Sequence, residues 1–489
     1  MHRNIRLPFS VRRAFLLLVP AAIALLAACT PGNPQSTFGA EGPVAREQAE
    51  LFIIIFWVAL VILVLVEGAL IYSTIKFRRR DTRMPRQVHG NTKLEVTWTI
   101  IPALILVVIA VPTIQGILYQ SDPPDGQEPL EVVAIGHQWW FEFRYPGEAI
   151  ITANELHVPS GRPVRVTLDS QDVIHSFWIP KLAGKVDMVP NNDNHMWFLA
   201  EEPAEAGADP VTYFGQCAEF CGFAHAMMRF RVIAHAPEDF DAWVNQWHTP
   251  PDPPAPGSPE ADGGLLFATH CSTCHTVDTY RPGGYGAEID QQAARWDAWT
   301  ANPQGARIVS APNLTQFGTR TTIGAGVDPL TQGNLVAWVQ DPSSIKEGTR
   351  MQEHAAIYQT PDNHAGLQPE EVQAIAAFLM SLQPGEGGPA PTPGPLPGDP
   401  VERGQQVFQI SGCNGCHSTG TDRIVGPGLQ GVYARAGERR PNMTAEQYIT
   451  ESVQSPSAYI VEGFDPAMPP FNLSDQEIGD LIAYLRTLE

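Results

Sequence analysis

Leu51 to Ile75 and Val96 to Tyr119 are almost wholly apolar. Each run exceeds the roughly 20 residues a helix needs to cross membrane hydrocarbon, so transmembrane helices are predicted over 51–75 and 96–119. A shorter apolar stretch lies in "MHRNIRLPFSVRRAFLLLVPAAIALLAACT", after basic residues up to Arg13 and before small residues and Cys29. That layout predicts an export signal over 1–28, leaving 29–50 as an exported segment. Between the two spans, "KFRRRDTRMPRQ" carries six Lys or Arg against one Asp. The positive excess predicts that loop 76–95 is cytoplasmic and that everything after Tyr119 is exported.

Beyond Tyr119 the pattern becomes short β-rich runs, "LEVVAIGHQWWFEFRY", "ELHVPSGRPVRVTLDS" and "MRFRVIAH", broken by Gly, Pro, Asn and Asp. They predict an all-β sandwich or barrel over 120–248. Two proline-rich spacers follow, 249–261 and 384–400. The segments after them, 262–383 and 401–489, share an order: a glycine-containing helix start, an aromatic, Cys-x-x-Cys-His, and a closing amphipathic helix, "VQAIAAFLMSL" or "IGDLIAYLRTL". They read as two copies of one all-α unit. The fold class is therefore multidomain: a two-helix transmembrane hairpin, an all-β domain and two helical units.

At ~150 residues per domain, 489 residues fit about three folded units, and 44% apolar residues can fill their cores. A net charge of -21 argues against nucleic acid and suits a partner with a basic face. Six of the seven cysteines sit in three tight pairs, a pattern of cofactor attachment rather than a disulfide framework. Glu67, within the first span, is either functional or placed at an interface or a neighbouring subunit.

Cys-x-x-Cys-His is the attachment pattern of c-type heme, because two thiols on one turn add to the vinyl groups and the next residue sets an imidazole under the iron. Cys271, Cys274 and His275 are thus assigned to one heme, and Cys413, Cys416 and His417 to another. The third pair lies in "GQCAEFCGFAHAMMRF", where Cys217 and Cys221 are joined by His225, Met228 and the upstream His175. Zinc accepts Cys and His but rarely methionine, whereas thiolates, imidazoles and a thioether together select copper.

This cluster closely resembles the dinuclear CuA motif of cytochrome c oxidase subunit II, which implies a cupredoxin barrel. The resemblance assigns the roles: Cys217 and Cys221 bridge both coppers, His175 and His225 each cap one, Met228 is a weak axial ligand, and Glu219 gives its backbone carbonyl. It also implies that the Glu219 side chain reaches toward a magnesium ion at the interface with subunit I. "LEVTWTIIPA" resembles the start of that family's second span and makes Glu95 the mouth of a proton path, with a merely solvated Glu95 as the alternative. "GHQWWFEF" resembles the segment through which electrons arrive and makes Trp139 the uptake residue, buried packing being its competing role. "KVDMVPNNDN" keeps Lys185 and Asp187 but has Asn191 and Asn192 where the family has Gly-Arg. His157, His195 and His235 match no ligand position.

The second helical unit resembles class I cytochrome c, which makes Met468 in "PAMPPF" the axial ligand, with Met443 as rival. The matching position in the first unit is Met351, which lacks the usual following proline and has His354 nearby. Thioether ligation raises a heme's potential relative to a second imidazole. Pro312 and Pro427 resemble the proline whose carbonyl holds the ligand histidine. The stretch 276–311 is longer than in compact relatives, and no role is read for it. Leu26-Ala27-Ala28-Cys29 resembles a bacterial lipobox and implies cleavage before Cys29 and lipidation of its thiol, a secondary anchor beside two spans.

Together these resemblances imply subunit II of a caa3-like, aa3-type heme-copper oxidase carrying two hemes. Electrons would pass from an exported donor, a cytochrome c or a membrane respiratory complex, through the hemes and CuA to heme a of subunit I. There oxygen would be reduced to water with proton translocation. The implied setting is a bacterial inner membrane, crossed twice, with the copper and heme domains on the periplasmic side beside subunit I and other oxidase subunits. Two alternatives stay open: a CuA/heme c subunit of a nitric oxide reductase, and a membrane-tethered electron carrier.

Overall fold

The structure, a computed structural model, describes residues 33–78, 89–124, 126–148, 150–192, 194–201, 206–272, 274–277, 311–360, 365–385, 399–411, 413, 417–423, 426–464, 468, 471, 473 and 475–488. The signal over 1–28, Cys29, Cys416 and most of the loop 76–95, the stretch 276–311 and the spacer 384–400 lie outside these residues.

Two long helices come first, α1 over Pro43–Lys76 and α2 over Thr92–Ser121, and both pass the length and hydropathy test for a membrane span. They outrun the apolar stretches, and the physical causes are local. Pro43 opens α1, where its missing N–H costs nothing. The polar first turns then stay helical because Val44 and Ala45 bury against the β domain. At α2, the Asn91 side chain accepts the N–H of Leu94 at 3.2 Å, capping the helix early. Glu95, expected in the cytoplasmic loop, therefore sits in the first turn of α2. The apolar side chains of both helices are exposed along nearly their whole length, Glu67 with them, as lipid- or subunit-facing surfaces are.

The β domain holds β1 Leu130–His137, β2 Trp140–Tyr145, β3 Ile150–Ala153, β4 Glu155–Pro159, β5 Val164–Ser170, β6 His175–Trp178, β7 Lys185–Met188, β8 Asn194–Phe198, β9 Val211–Cys217 and β10 Arg229–His235. They form two five-stranded sheets, ordered β3-β2-β1-β5-β8 and β4-β10-β9-β6-β7. Alternate residues of β5 are buried, the period-two pattern of a strand packed on one face. Between the sheets Phe141, Phe143, Phe177 and Phe230 interlock, with ring centroids 4.6 Å apart for Phe177 and Phe230. Helix α3, Pro237–Trp247, closes one end through Phe240 and Trp247.

This domain grips the outer ends of both long helices. The N–H groups of Glu41 and Gly42 donate to the Lys181 carbonyl, at 2.8 and 3.1 Å. Trp197 Nε1 donates to the Tyr119 carbonyl at 3.1 Å. The start of α1 and the end of α2 thus lie together on the β domain, and the end of α1 and the start of α2 lie at the other end of the hairpin. That is the arrangement of a two-pass membrane protein with one exported domain.

The first helical unit contains α4 Pro259–His270, α5 Gln332–Gln340, α6 Pro342–Ile345, α7 Arg350–His354 and α8 Pro369–Ser381. A two-stranded hairpin, β11 Thr322–Ile323 with β12 Asp328–Pro329, interrupts it where only helix was expected. Gly324 and Gly326 at positive φ, with Ala325, make the turn. The second unit contains α9 Pro400–Ile410, α10 Val432–Arg439, α11 Ala445–Gln454 and α12 Asp475–Leu485.

The duplication is visible in how first and last helices cross. A Cβ on Gly263 would lie 1.9 Å from the Ala374 carbonyl oxygen, and one on Gly404 would lie 1.9 Å from that of Asp480. Four residues on, Phe267 meets Phe378 and Phe408 meets Tyr484, each pair at 5.5 Å. Both units thus close by seating a bare backbone against the final helix, with an aromatic pair one turn along. Gly263→Val is expected to destabilise the first unit alone, and Gly404→Val the second alone, by about 2 kcal/mol each. Denaturant unfolding of the full chain, followed by circular dichroism, should show one of two helical transitions moving while the other stays.

Candidate functional site

Three backbone segments bring the predicted ligands together. The β9–β10 hairpin is clamped where Cys217 N donates to the Met228 carbonyl at 2.9 Å. The ten residues between them form a compact loop, ended by a single turn of 3-10 helix over His225–Met227. Strand β6 pairs with β9 and begins at His175. Strand β1 approaches from the other sheet, where a Cβ on Gly136 would lie 2.7 Å from the His175 ring. That bare position lets the imidazole lie flat against the backbone.

The result is a buried knot of soft ligand atoms. Cys217 Sγ lies 3.9 Å from Cys221 Sγ and 3.9 Å from His175 Nδ1. Cys221 Sγ lies 3.5 Å from His225 Nδ1 and 3.8 Å from Met228 Sδ. The carbonyl oxygen of Glu219 lies 3.2 Å from Cys217 Sγ. His175, Cys217, Cys221 and Met228 are all buried, while the Glu219 side chain is exposed. A disulfide needs about 2.05 Å between sulfurs, so the pair is unbridged.

The electrostatics favour a thiolate here. The Cys217 thiol is held far below its ordinary range, first by the hydrogen bond from Cys221 and then, against burial, by His175 and backbone N–H groups. Cys221 moves the opposite way because its proton is the one shared. Burial opposes charge on His175, but the Asp172 carboxylate and the Cys217 sulfur outweigh it and leave the imidazole raised. Asp172 Oδ1 lies 2.8 Å from His175 Nε2 and fixes the ring with Nδ1 toward the sulfurs. His175, Cys217 and Cys221 cluster closely enough to hold one metal ion, and with His225 and Met228 beside Cys221 the donor set of thiols, imidazoles and a thioether suits copper better than zinc.

Two residues of the aromatic segment also touch the knot. Gln138 Nε2 and Trp139 Nε1 both donate to the Cys221 carbonyl, at 2.7 and 3.1 Å. Sequence reasoning had singled out Trp139 but missed Gln138 and Asp172. Asp172 carried a usable signal, standing three residues before His175 in "DVIH"; Gln138 carried none. Glu95 is not part of this cluster; its Oε1 accepts the Asn91 N–H at 3.2 Å in α2. Lys185, Asp187, Asn191 and Asn192 are exposed on and after β7. His157 and His235 stack on each other and on Trp243 away from the sulfurs, and His195 is exposed on β8.

In the first helical unit, Cys271 ends α4 and His275 N donates back to its carbonyl at 2.9 Å. His275 Nδ1 lies 2.9 Å from the Pro312 carbonyl oxygen, and His417 Nδ1 lies 2.9 Å from that of Pro427. Each imidazole is thereby oriented with Nε2 left for a metal, which fits heme iron. Burial holds His275 below its ordinary value and so favours the neutral form that a ligand needs. Cys274 is exposed, while Cys271 and Cys413 pack against the cores of their units. Met351 is half-buried in α7, and Met468 is half-buried against the second core. His354, the rival of Met351, is exposed beside Glu353, and Met443 lies just before α11.

Residues 35–115 match the family described as cytochrome c oxidase subunit II, transmembrane domain, and 147–235 match its periplasmic domain. Residues 260–383 and 401–489 each match cytochrome c. Cytochrome c oxidase subunit 2 of Alkalihalophilus pseudofirmus is 33% identical over 364 residues, covering 73% of this chain and 94% of that protein. The subunit 2 of Bacillus subtilis is 34% identical over 381 residues, covering 75% and 97%. The crystal structure of the periplasmic domain of subunit II of cytochrome oxidase of Bradyrhizobium japonicum is similar at 28% identity, over 26% of this chain and 94% of that one, with a TM-score of 0.23.

Asp172→Asn keeps the shape of the carboxylate but removes the charge that orients His175. It is expected to weaken copper binding by about 10–100-fold, measured by competition with a chelator. Retention of full copper affinity would rule out this role for Asp172.

Proposed function

Because this chain belongs to the cytochrome c oxidase subunit II family, we propose that it is the electron-relay subunit of an aa3-type heme-copper oxidase, handing electrons from an exported donor through two c-type hemes and CuA to heme a of subunit I. In this proposal subunit I reduces oxygen to water and translocates protons, and the chain itself holds no oxygen site. The observation that carries it is the buried cluster in which two unbridged cysteine sulfurs, 3.9 Å apart, each have an imidazole nitrogen beside them.

In the same proposal, Cys217, Cys221, His175, His225, Met228 and the Glu219 carbonyl would hold the copper pair. That copper, once bound, would supply one-electron transfer with little rearrangement of the buried ligands around it. Asp172 holds His175 in register, and the loop 218–227 keeps water from the sulfurs. Cys271, Cys274, His275 and Met351 hold one heme, and Cys413, Cys416, His417 and Met468 the other. Pro312 and Pro427 aim the two histidines. Trp139, bonded to the Cys221 carbonyl, takes up the electron, and Glu95 at the cytoplasmic end of α2 gathers protons for subunit I. The exposed Glu219 carboxylate offers an oxygen ligand to magnesium at the interface with subunit I. Cleavage before Cys29 with lipidation of its thiol, in a bacterial inner membrane, completes the reading.

Purification of the native complex should give bands of heme a beside those of heme c; absence of heme a would sink the oxidase assignment. In the exported portion, Met228→Leu is expected to shift the copper potential while leaving both hemes attached. Cys413→Ala with Cys416→Ala should remove one of two equivalents of covalent heme, measured by the pyridine hemochrome assay.

A further inference from the structure

The β domain and the first helical unit meet along a seam that no ligand motif required. Glu155, on the edge strand β4, is buried with only 3% of its surface exposed. Its Oε1 accepts the N–H groups of Thr321 and Thr322, both at 2.9 Å, and their hydroxyls at 2.7 and 2.9 Å. A buried carboxylate is costly unless hydrogen-bonded, and all four of these donors come from the helical unit. Around it Arg229 N donates to the Ala325 carbonyl at 3.1 Å, Arg231 to that of Gly326 at 3.0 Å, and Asn313 to that of Ile151 at 3.2 Å. Trp140 and Ala153 bury against Ala325.

The seam continues onto the segment beside the sulfurs. Lys346, only 4% exposed, donates its Nζ to the Trp139 carbonyl at 2.5 Å and to the Gly324 carbonyl at 3.2 Å. Arg350 donates to Gln138 Oε1, and the same Gln138 amide donates to the Cys221 carbonyl. Arg350 immediately precedes Met351. A continuous chain of bonds therefore runs from α7 through the Arg350 guanidinium and the Gln138 amide to the backbone of Cys221. A Cβ on Gly348 would lie 2.6 Å from the Phe223 ring, so the approach is close on this side too. The second helical unit stands behind the first, with α9 packed on α4.

Building on the function proposed above, we propose that the first helical unit is the fixed, built-in partner of the 138–139 segment, so that electrons from outside enter only at the second unit and reach the copper site by way of the first. Arg350, Gln138 and Lys346 are positioning residues that hold the two electron-carrying domains in register. The transfer across the seam moves one electron and no atom, oxidising the iron held by His275 and reducing the copper pair held by Cys217 and Cys221. A soluble donor docks on the second unit, because Lys346 and Arg350 of this chain already sit against residues 138 and 139.

The test uses the full chain in its purified complex, mixed in stopped flow with a small soluble ferrous cytochrome c. The probe's oxidation, covalent heme reduction and the near-infrared copper band are followed separately. Arg350→Gln retains every heme and metal ligand. It is expected to leave heme reduction by the probe unchanged and to slow copper reduction roughly tenfold. Copper and heme midpoint potentials and the copper EPR spectrum should not change, and Arg350→Lys should restore most of the rate. Copper reduction as fast as in the parent chain would overturn the role of the seam. Loss of the second heme through Cys413→Ala with Cys416→Ala should abolish rapid reduction of both the remaining heme and copper by the probe. Rapid copper reduction in that variant would overturn the order. A parent chain with no copper EPR signal would instead sink the functional reading on which the order stands.

Discussion

Two sulfurs held 3.9 Å apart, near enough to share a proton or a metal and too far to bond each other, set the conditions for the rest of this molecule. Cysteines four residues apart in a mobile loop could close on one another or react with a thiol in solution. Here Cys217 is pinned at the end of β9, where its N–H donates to the Met228 carbonyl, and Cys221 by the Gln138 and Trp139 side chains that donate to its carbonyl, and both are buried. The four interlocked phenylalanines beneath make that corner of the sandwich stiff. Gly136 gives His175 room from the opposite sheet, and Asp172 fixes which nitrogen faces inward. Each contact is ordinary; together they keep a reactive pair apart and available.

The same economy governs the join to the membrane. Neither long helix has a face that a soluble core would cover, and yet the first turn of α1 and the last carbonyls of α2 are tied into the β domain. The hairpin is therefore held at its outer ends, and the site cannot swing freely above the lipid.

What the amino-acid sequence disclosed, and what it hid, follows from distance along the chain. The sulfur and imidazole knot was legible because four of its members lie between Cys217 and Met228, and the heme motifs because three ligands fall within five residues. The duplication was legible because a glycine, an aromatic and the motif recur in order. The helices run past the apolar stretches at Pro43 and Thr92, where a proline start, a docked first turn and an asparagine cap extend them, and hydropathy alone carries no sign of this. The seam could not be read at all. Glu155 and its partners Thr321 and Thr322 are more than 160 positions apart, none belongs to a periodic pattern, and a lone glutamate on an edge strand ordinarily faces water. Lys346 and Arg350 likewise look like solvated cations until the fold sets them against residues 138 and 139.

The crossing of first and last helices in each helical unit has a bearing on how the chain matures. Gly263 is covered only when α8 arrives, and Gly404 only when α12 does. As the polypeptide emerges on the far side of the membrane, each cysteine pair appears directly after the opening helix, well before the closing helix that completes its core. Until then the opening helix has no surface to settle on, and the thiols remain in pliable, accessible backbone. On the function proposed, the late-closing helix would provide an interval in which a bulky macrocycle could be stitched on, after which the door would shut behind it.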